Sequence, residues 1–307
     1  MLVSAIIPTY NRADTIGAAV ASVLAQTHSE MEVIVVDDGS SDATHDVLAE
    51  FGNAIRVIKQ ANAGPSAARN HGVAESRGEI ISFLDSDDVW KPEKIAAQVG
   101  LMETAGEEMC CCVCNSEIIG LNGEPAGDSF ALAGLRVEIE KGEWLNPGEV
   151  LATRFLLFNQ VVAVRRRAFD AVGGFNRELR ILEDYELAMK LSAAGRWGII
   201  RQPLVSKRND TDGIGVACMK DTLKHVATCV EVIAEIIRSG HGLSASARKQ
   251  LQLSLNELRL ELRAEKARHG QSPGGATAVI AIKTLLKLKK LARRASPSWP
   301  RPQFKEL

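Results

Sequence analysis

The first third of the chain alternates short apolar runs with amphipathic ones. Residues 3–7, "VSAII", form an apolar run that predicts a strand ending at Pro8. Residues 14–26 place Ile16, Val20, Val23 and Leu24 on one helical face, with Asp14 as a candidate N-cap. The β-branched run Val33 to Val36 predicts a second strand that ends in Asp37-Asp38-Gly39. Ser41 is placed to cap a helix carrying Val47, Leu48 and Phe51. "IRVIKQ" predicts a third strand, and "GPSAARNHGVAESRG" a helix with Pro65 in its first turn and Gly78 past its end. "EIISFLD" predicts a fourth strand. Strict strand–helix alternation implies an α/β fold with a parallel sheet flanked by helices. In such sheets ligands bind beyond the carboxyl ends of the strands. Tyr10, Asn11, Asp37, Asp38, Asp85 and Asp87 fall at those ends.

The pattern then loosens. "KPEKIAAQVGLME" reads as a helix and "MCCCVCN" as a strand. Residues 118–150 are weakly periodic and predict a long surface excursion. "FNQVVAVRRRAF" returns to a strand, and "VGGFNRELRILEDYELAMKLSAAG" to a Gly-rich loop entering a helix. "WGIIRQPLVSKR" predicts a last pair of strands. From about residue 216 the chain reads as all-helical. Met219, Leu223, Val226, Val230, Ile233 and Ile237 make one stripe, and Leu251, Leu255, Leu258 and Leu262 another. "GQSPGG" precedes a last helix. The expected division is a catalytic-type α/β domain over 1–215 and a helical extension over 216–307.

Composition narrows the classes. The chain has 307 residues and a formal net charge of −1, which does not point to nucleic acid as a partner. The start has no basic n-region, and no apolar run approaches the ~18–20 residues of a membrane span, so neither a signal peptide nor a transmembrane helix is expected. A cytoplasmic location follows as the expectation. Cys110, Cys111, Cys112 and Cys114 share an extended segment in which neighbours point to opposite faces. They read as small core residues in a reducing compartment rather than as a metal site.

Four segments carry candidate chemistry. Asp85 and Asp87 flank Ser86, and in an extended segment both point to one side. Two close carboxylates resist joint ionisation unless a cation is present, and Mg²⁺ or Mn²⁺ takes such oxygen ligands together with phosphates and water. A solvated acidic turn is the plain alternative. Asp38 could accept from a nucleobase or ribose, or simply build the turn. Arg69 could face a phosphate, or water. Glu183 and Asp184 could supply a general base, or only complement a helix N-terminus. No Gly-rich phosphate loop and no G-x-G-x-x-G follow the first strand, which disfavours nucleotidyltransferases and dinucleotide oxidoreductases.

Taken in order, "VSAIIPTYNR", "VIVVDDGSSDAT", "NAGPSAARNHG", "EIISFLDSDDVWKPEKI" and "GGFNRELRILEDYEL" resemble the nucleotide-sugar-dependent glycosyltransferases of family 2, over roughly residues 3–210. The resemblance implies a GT-A fold and an inverting transferase. It implies that Pro8, Tyr10 and Asp38 hold the nucleoside, with Thr9 and Asn11 adjacent, and that Arg69 helps hold the nucleotide. Asp85 and Asp87 match the D-x-D pair. Asp87 would be the direct ligand of a divalent cation, Mg²⁺ or Mn²⁺, and Asp85 would lie nearer the ribose and sugar. Asp88 matches a frequent extra acid. Asp184 matches the general base of the "ED" motif, with Glu183 orienting the site. The implied partners are a nucleotide-sugar donor, with UDP-sugars favoured, and a glycan or lipid-linked acceptor.

Two departures qualify the likeness. Processive members carry Q-x-x-R-W; here Arg196-Trp197 is preceded by Ala193 where the glutamine would stand, which implies a non-processive enzyme. Many members follow an arginine after the last strand with a histidine; here Arg208 is followed by Asn209 and Asp210, so Asp210 is the candidate substitute for a third metal ligand. In the tail, Lys283, Lys287, Lys290 and Arg294 form one basic stripe, with Ile282, Leu285, Leu286 and Leu288 largely away from it. Residues 276–294 are therefore expected either to rest on an anionic membrane surface, at the inner face of the cytoplasmic membrane, or to pack on protein, including a homodimer mate.

Overall fold

The computed structural model describes residues 1–156, 158–179, 181–208, 221–240, 242–269, 284, 287, 294 and 299–307. They divide into two compact units. The first comprises Met1–Pro147, Phe155–Asn209 and Pro302–Leu307, and the second Gly148–Arg154 and Asp210–Arg301. Unlike a single cut near residue 215, this division sends a short internal segment to the second unit and returns the last residues to the first.

The first unit begins as the alternation predicts: β1 (Val3–Thr9), α1 (Ile16–Leu24), β2 (Met31–Asp37), α2 (Thr44–Ala49), β3 (Arg56–Lys59), α3 (Pro65–Ala74) and β4 (Ile80–Phe83). These strands pair in parallel, β4 with β1, β1 with β2 and β2 with β3. β1 and β4 and the run Val33–Val36 are wholly buried, as continuous apolar strands covered on both faces must be. β1 runs through Pro8 instead of stopping there. Pro8 is in phase with Ile6, whose carbonyl accepts from Leu84 on the β4 side. β4 has ended by then, so the missing N–H leaves no ladder bond unmade. Two expected caps also differ. Asp14 does not cap α1, which starts after Thr15 without a side-chain cap, and the carboxylate of Asp42, not Ser41, accepts from Thr44 N at 3.0 Å.

Beyond β4 the order is β5 (Val89–Trp90), α4 (Lys94–Ala105), β6 (Met109–Ile119), β7 (Pro125–Asp128), α5 (Ser129–Leu132), β8 (Lys141–Trp144), α6 (Pro147–Leu151), β9 (Val162–Arg165), α7 (Arg166–Ala171), α8 (Glu183–Leu191) and β10 (Arg196–Arg208). The sheet becomes mixed. β9 lies antiparallel between β4 and β6, and β6 pairs in parallel with β10. The surface excursion expected over 118–150 is partly sheet: β7 pairs with β6, and β8 with β10, burying Trp144 against Trp197 edge to face at 5.8 Å. The expected strand pair at 196–208 is one long strand. Its register with β6 shifts around Pro203, and it exchanges β8 for β5 as neighbour along its length. β11 (Phe304–Glu306) closes the edge against β8.

The cysteine strand is β6, and Cys110, Cys111, Cys112 and Cys114 are buried free thiols. Burial pushes the Cys114 thiol up to about 11, so these groups are inert core residues. Next to them lies a fully buried lysine. Lys94 donates to Ser82 Oγ at 3.0 Å and Gln98 Oε1 at 2.8 Å, and sits 4.1 Å from the Trp90 ring centroid. Burial pushes its ammonium down to about 8. This polar strut joins β4, α4 and the Trp90 side of the turn that follows β4.

The second unit contains α9 (Thr222–Ser239) and α10 (Ala245–Arg268). Asp221 and Ser244 cap them by accepting from Lys224 N and Ala247 N. α9 buries Val226, Val232, Ile233 and Ile236, and α10 buries Leu251 and Leu255. Among the described residues no helix is long and apolar enough to cross a membrane. Met219, Asp210 and most of the basic stripe, including Lys283 and Lys290, lie outside the described residues.

α3 can lie close on the sheet because Gly72 has no side chain. A Cβ there would stand 2.5 Å from Ile6 Cγ2 and 3.1 Å from Val36 Cγ2. Gly72→Ala should therefore destabilise the protein by about 1–3 kcal/mol, the usual cost of overpacking. Denaturant unfolding checks this, and an unchanged midpoint would show that α3 has room to spare.

Candidate active site

The site forms where β1, β2 and β4 end. Asp38 N donates to Thr9 O at 2.8 Å, sewing the ends of β1 and β2 together. Asn11 adopts φ 52°, in the left-handed region that Asn tolerates. It receives Ser41 N on Oδ1 at 2.8 Å and gives its own N–H to Ser40 Oγ at 2.9 Å. Tyr10 is left half-exposed at the rim, while Thr9 Oγ1 is buried with no partner among the described residues. Pro8 and Thr9 stay in the strand beneath.

Asp38 is deeply buried and its carboxylate is already engaged. Oδ1 accepts from Gln60 Nε2 at 2.7 Å and Ala63 N at 2.8 Å, and Oδ2 accepts from Gly64 N at 2.8 Å. Its first task is to hold the loop that launches α3. Of the roughly four lone-pair positions on a carboxylate, three are filled, so one acceptor position remains.

The acids after β4 do not lie on an extended segment. Asp88 N donates to Asp85 O at 3.1 Å, so residues 85–88 form a turn and their side chains diverge. Asp85 accepts from Arg69 Nη2 at 2.7 Å. Asp87 is partly exposed, with Arg12 Nη2 at 3.9 Å. Asp88 is fully buried and points inward, taking Arg208 N at 3.0 Å and Lys207 Nζ at 3.3 Å. Burial pushes Asp85 upward, but the charges of Arg69 and Lys207 outweigh it and hold the carboxyl below its usual range. Burial, then the charge of Asp85, pushes Asp87 upward. Asp88 is raised to about 7, chiefly by burial. Lys207 loses by burial and gains more from Asp88, Asp85 and Asp87, ending above its ordinary value. A basic side chain of the last strand thus offsets the cluster.

Across the site stands α8. Its first residues are Glu183 and Asp184, after Leu182, which adopts φ 62°. Such a φ is uncommon for a bulky residue. Glu183 accepts from Arg69 Nη1 at 2.9 Å. Asp184 is half-buried and accepts from Tyr185 N at 2.7 Å. Burial, then the charge of Glu183, pushes the Asp184 carboxyl up to about 8, against the downward pull of that hydrogen bond and of Arg69. Asn70, next to Arg69, clamps the Gly-rich loop by donating to Phe175 O at 2.8 Å and accepting from Phe175 N at 3.0 Å.

The model of "Glycosyl transferase family 2" matches residues 4–169. The chain belongs to this family. An uncharacterized glycosyltransferase of Nostoc sp. is 45% identical over 109 residues, covering 34% of this chain and 34% of that protein. One of Rickettsia typhi is 31% identical over 189 residues, covering 62% of this chain and 58% of that protein. The matched part is thus well short of these relatives' full length. Among solved structures, S. aureus TarS 1–349 superposes with a TM-score of 0.65 at 20% identity, covering 87% of this chain and 74% of that one. Mannosyltransferase PcManGT from Pyrobaculum calidifontis, solved with GDP-Man and Mn²⁺, gives 0.58 at 19% identity, covering 96% and 81%. These likenesses show the GT-A fold.

Within this family-2 frame, Asp85 and Glu183 each contact Arg69, while Pro8, Tyr10 and Asp38 line the neighbouring strand ends. Arg69, expected to face a nucleotide, is deeply buried between two carboxylates. Arg208 reaches the site through its backbone N–H. Lys207, Arg12, Asn70 and Asn159 were not legible as site residues, although Lys207 and Arg208 must point to opposite faces of their strand and only one can meet the acids. Among the described residues no three His, Cys, Asp or Glu side chains converge as metal ligands. The donor set nonetheless suits a hard cation. Asp87 is a partly exposed carboxylate raised by burial and then by the charge of Asp85, and Mg²⁺ or Mn²⁺ needs only one or two carboxylates beside phosphates and water.

Two outcomes are expected. Asp38→Ala strips the acceptor from two backbone N–H groups and should lower stability by about 1–3 kcal/mol even without nucleotide; an unchanged melting curve would reduce Asp38 to a ligand contact. For Asp184 the native carboxyl holds its proton between about pH 4 and 8, whereas the unfolded one, at 3.8, does not. The native state therefore binds more protons in that window, and this group's contribution to stability falls as pH rises through it. In metal-free buffer, Asp184→Asn should gain melting temperature over wild type as pH rises from 4 to 8. A pH-independent difference would contradict the raised value.

Proposed function

We propose that this chain is an inverting, non-processive glycosyltransferase that moves one sugar from a nucleoside-diphosphate donor to a hydroxyl of a glycan or lipid-linked acceptor. The observation that carries the reading is the placing of Asp184, raised to about 8, beside the Arg69-bridged pair of Glu183 and Asp85. Family membership supports it, as do the ligands of its structural neighbours. TarS 1–349 has been solved with UDP and with UDP-GlcNAc, and PcManGT with GDP-Man and Mn²⁺. UDP-sugars are the favoured donors.

In this reading Pro8, Tyr10 and the free acceptor position of Asp38 receive the nucleoside. Asp184 takes the proton from the acceptor hydroxyl while that oxygen attacks the anomeric carbon. A carboxyl near 8 is a stronger base than an ordinary one, and the ionised fraction that does the abstraction grows as pH rises towards that value. Attack comes from the face opposite the diphosphate, whose bond to the sugar breaks, so the anomeric configuration inverts. A divalent cation, when bound, neutralises charge developing on the departing diphosphate. Asp87 would hold it, with Asp85 beside the ribose and sugar. Lys207 adds fixed positive charge at the same place. Glu183 orients the base side through Arg69, and Asp88 anchors the end of β10.

Single addition fits the fate of Arg196 and Trp197. Arg196 forks onto Glu143 at 2.7 and 2.6 Å, and Trp197 is fully buried with its indole N–H on Leu191 O. Trp197 serves the core of the first unit, and Arg196 is held by Glu143 near the edge of the sheet.

A panel of sugar nucleotides, assayed for release of nucleoside diphosphate with Mn²⁺, tests the reading. Asp184→Asn should lower turnover by about 10²–10⁴-fold while nucleotide binding survives, and Asp87→Ala should abolish the Mn²⁺-dependent part of nucleotide affinity. Normal turnover by the first variant would remove Asp184 as base. Unchanged metal-dependent affinity in the second would remove Asp87 as ligand.

A further inference from the structure

We infer that Arg69 is a positioning residue and not a phosphate ligand: its guanidinium is the strut that fixes the D-x-D turn and the start of α8 in one frame. The donor inventory carries the argument. A guanidinium has five N–H groups in a rigid fork. Nη1 donates to Glu183 Oε1 at 2.9 Å, and Nη2 to Asp85 Oδ1 at 2.7 Å. With its amide oxygen turned to the guanidinium, Asn159 accepts from Nη1 and Nη2 at 3.3 and 3.2 Å. These contacts use all four Nη hydrogens. The remaining Nε–H is buried without a partner among the described residues. The Phe175 ring covers the fork, its centroid 5.3 Å from Cζ. The four Nη hydrogens are therefore spent inside the protein, and the guanidinium as a whole is buried.

The strut spans segments far apart in sequence. Asp85 follows β4 and Glu183 opens α8, and Arg69 on α3 is 5% exposed between them. Glu183 is adjacent to Asp184, so whatever sets the rotation of the first turn of α8 also aims the base. Nucleotide phosphate charge is left to other cations of the site, of which Lys207 interacts with all three acids of the turn.

The kinetic test rests on the transferase reading; the stability test does not. Arg69→Lys keeps the charge, but one ammonium cannot reproduce a fork between two carboxylates. Its kcat for donor hydrolysis should fall roughly 100-fold, as misplacement of reacting groups does, with KM for the sugar nucleotide unchanged. A raised KM with kcat retained would make Arg69 a ligand contact and overturn the proposal, as would no change in either constant. The second arm uses the metal-free protein without nucleotide. Glu183→Gln should lower the unfolding midpoint in the wild-type background, where it breaks a pair. In the Arg69→Met background it should raise the midpoint, because it removes a buried charge already stranded. If Arg69→Met does not fold alone, recovery of folding by the added Glu183→Gln is the same positive result. A Glu183→Gln effect of the same sign in both backgrounds, or no recovery of folding, would overturn the strut.

Discussion

One buried guanidinium sets the geometry on which the rest of the site depends. Arg69 lies between two carboxylates from segments far apart in the chain, and its charge outweighs the burial that would otherwise raise Asp85. Burial alone would favour a proton on Asp85. A buried pair of this kind is weak evidence for stability, because desolvation offsets much of the attraction. It is better evidence for specification: a rigid fork with two anionic partners admits one arrangement of α3, the turn after β4 and the start of α8. Gly72 lets α3 approach the sheet, Asp38 fixes the loop from which α3 starts, and Asn70 pins the Gly-rich loop before α8. Each places the fork.

The same electrostatics divides the acids by role. Asp85 is compensated and held ionised. Asp88 is buried, tied to Lys207 and to the backbone of Arg208, and serves the end of the last strand. Asp87 is partly exposed, with Arg12 no nearer than 3.9 Å, and is the acid proposed to take the cation. Among the described residues Asp184 has no ion-pair partner of its own, and burial and the charge of Glu183 raise it. Five acids crowd one strand edge, yet their partners give each a different environment, which is what the proposed roles of strut, anchor, ligand and base rest on.

Much of this was legible in the sequence, and the rest failed for physical reasons. The parallel half of the sheet followed from apolar runs with caps and glycines between them, since strands covered on both faces must read as continuous hydrophobic segments. The mixed half did not, because β8 is four residues with one aromatic, and its strand character comes from pairing with β10 and not from its own pattern. Pro8 misled for the opposite reason: a proline ends a strand only where its neighbour needs the N–H. The acids were found by type and order, but their directions were not. Asp85 and Asp87 read as an extended D-x-D and proved to lie on a turn, and Arg69 read as an arginine facing a nucleotide or water because nothing local reveals two carboxylates 16 and 114 residues away. Lys207 was hidden by Arg208, its neighbour on the other face.

If Arg69 couples the cation side to the base side, Asp85 and Glu183 must feel each other without touching. A double-mutant cycle on Asp85→Asn and Glu183→Gln, read by denaturant unfolding of the metal-free protein, measures this directly. The first substitution leaves the guanidinium one partner and the second leaves none. The double variant should therefore be less stable than the sum of the single changes, by more than about 1 kcal/mol. Additivity within about 0.5 kcal/mol would mean that the two carboxylates are held independently, and would contradict the account.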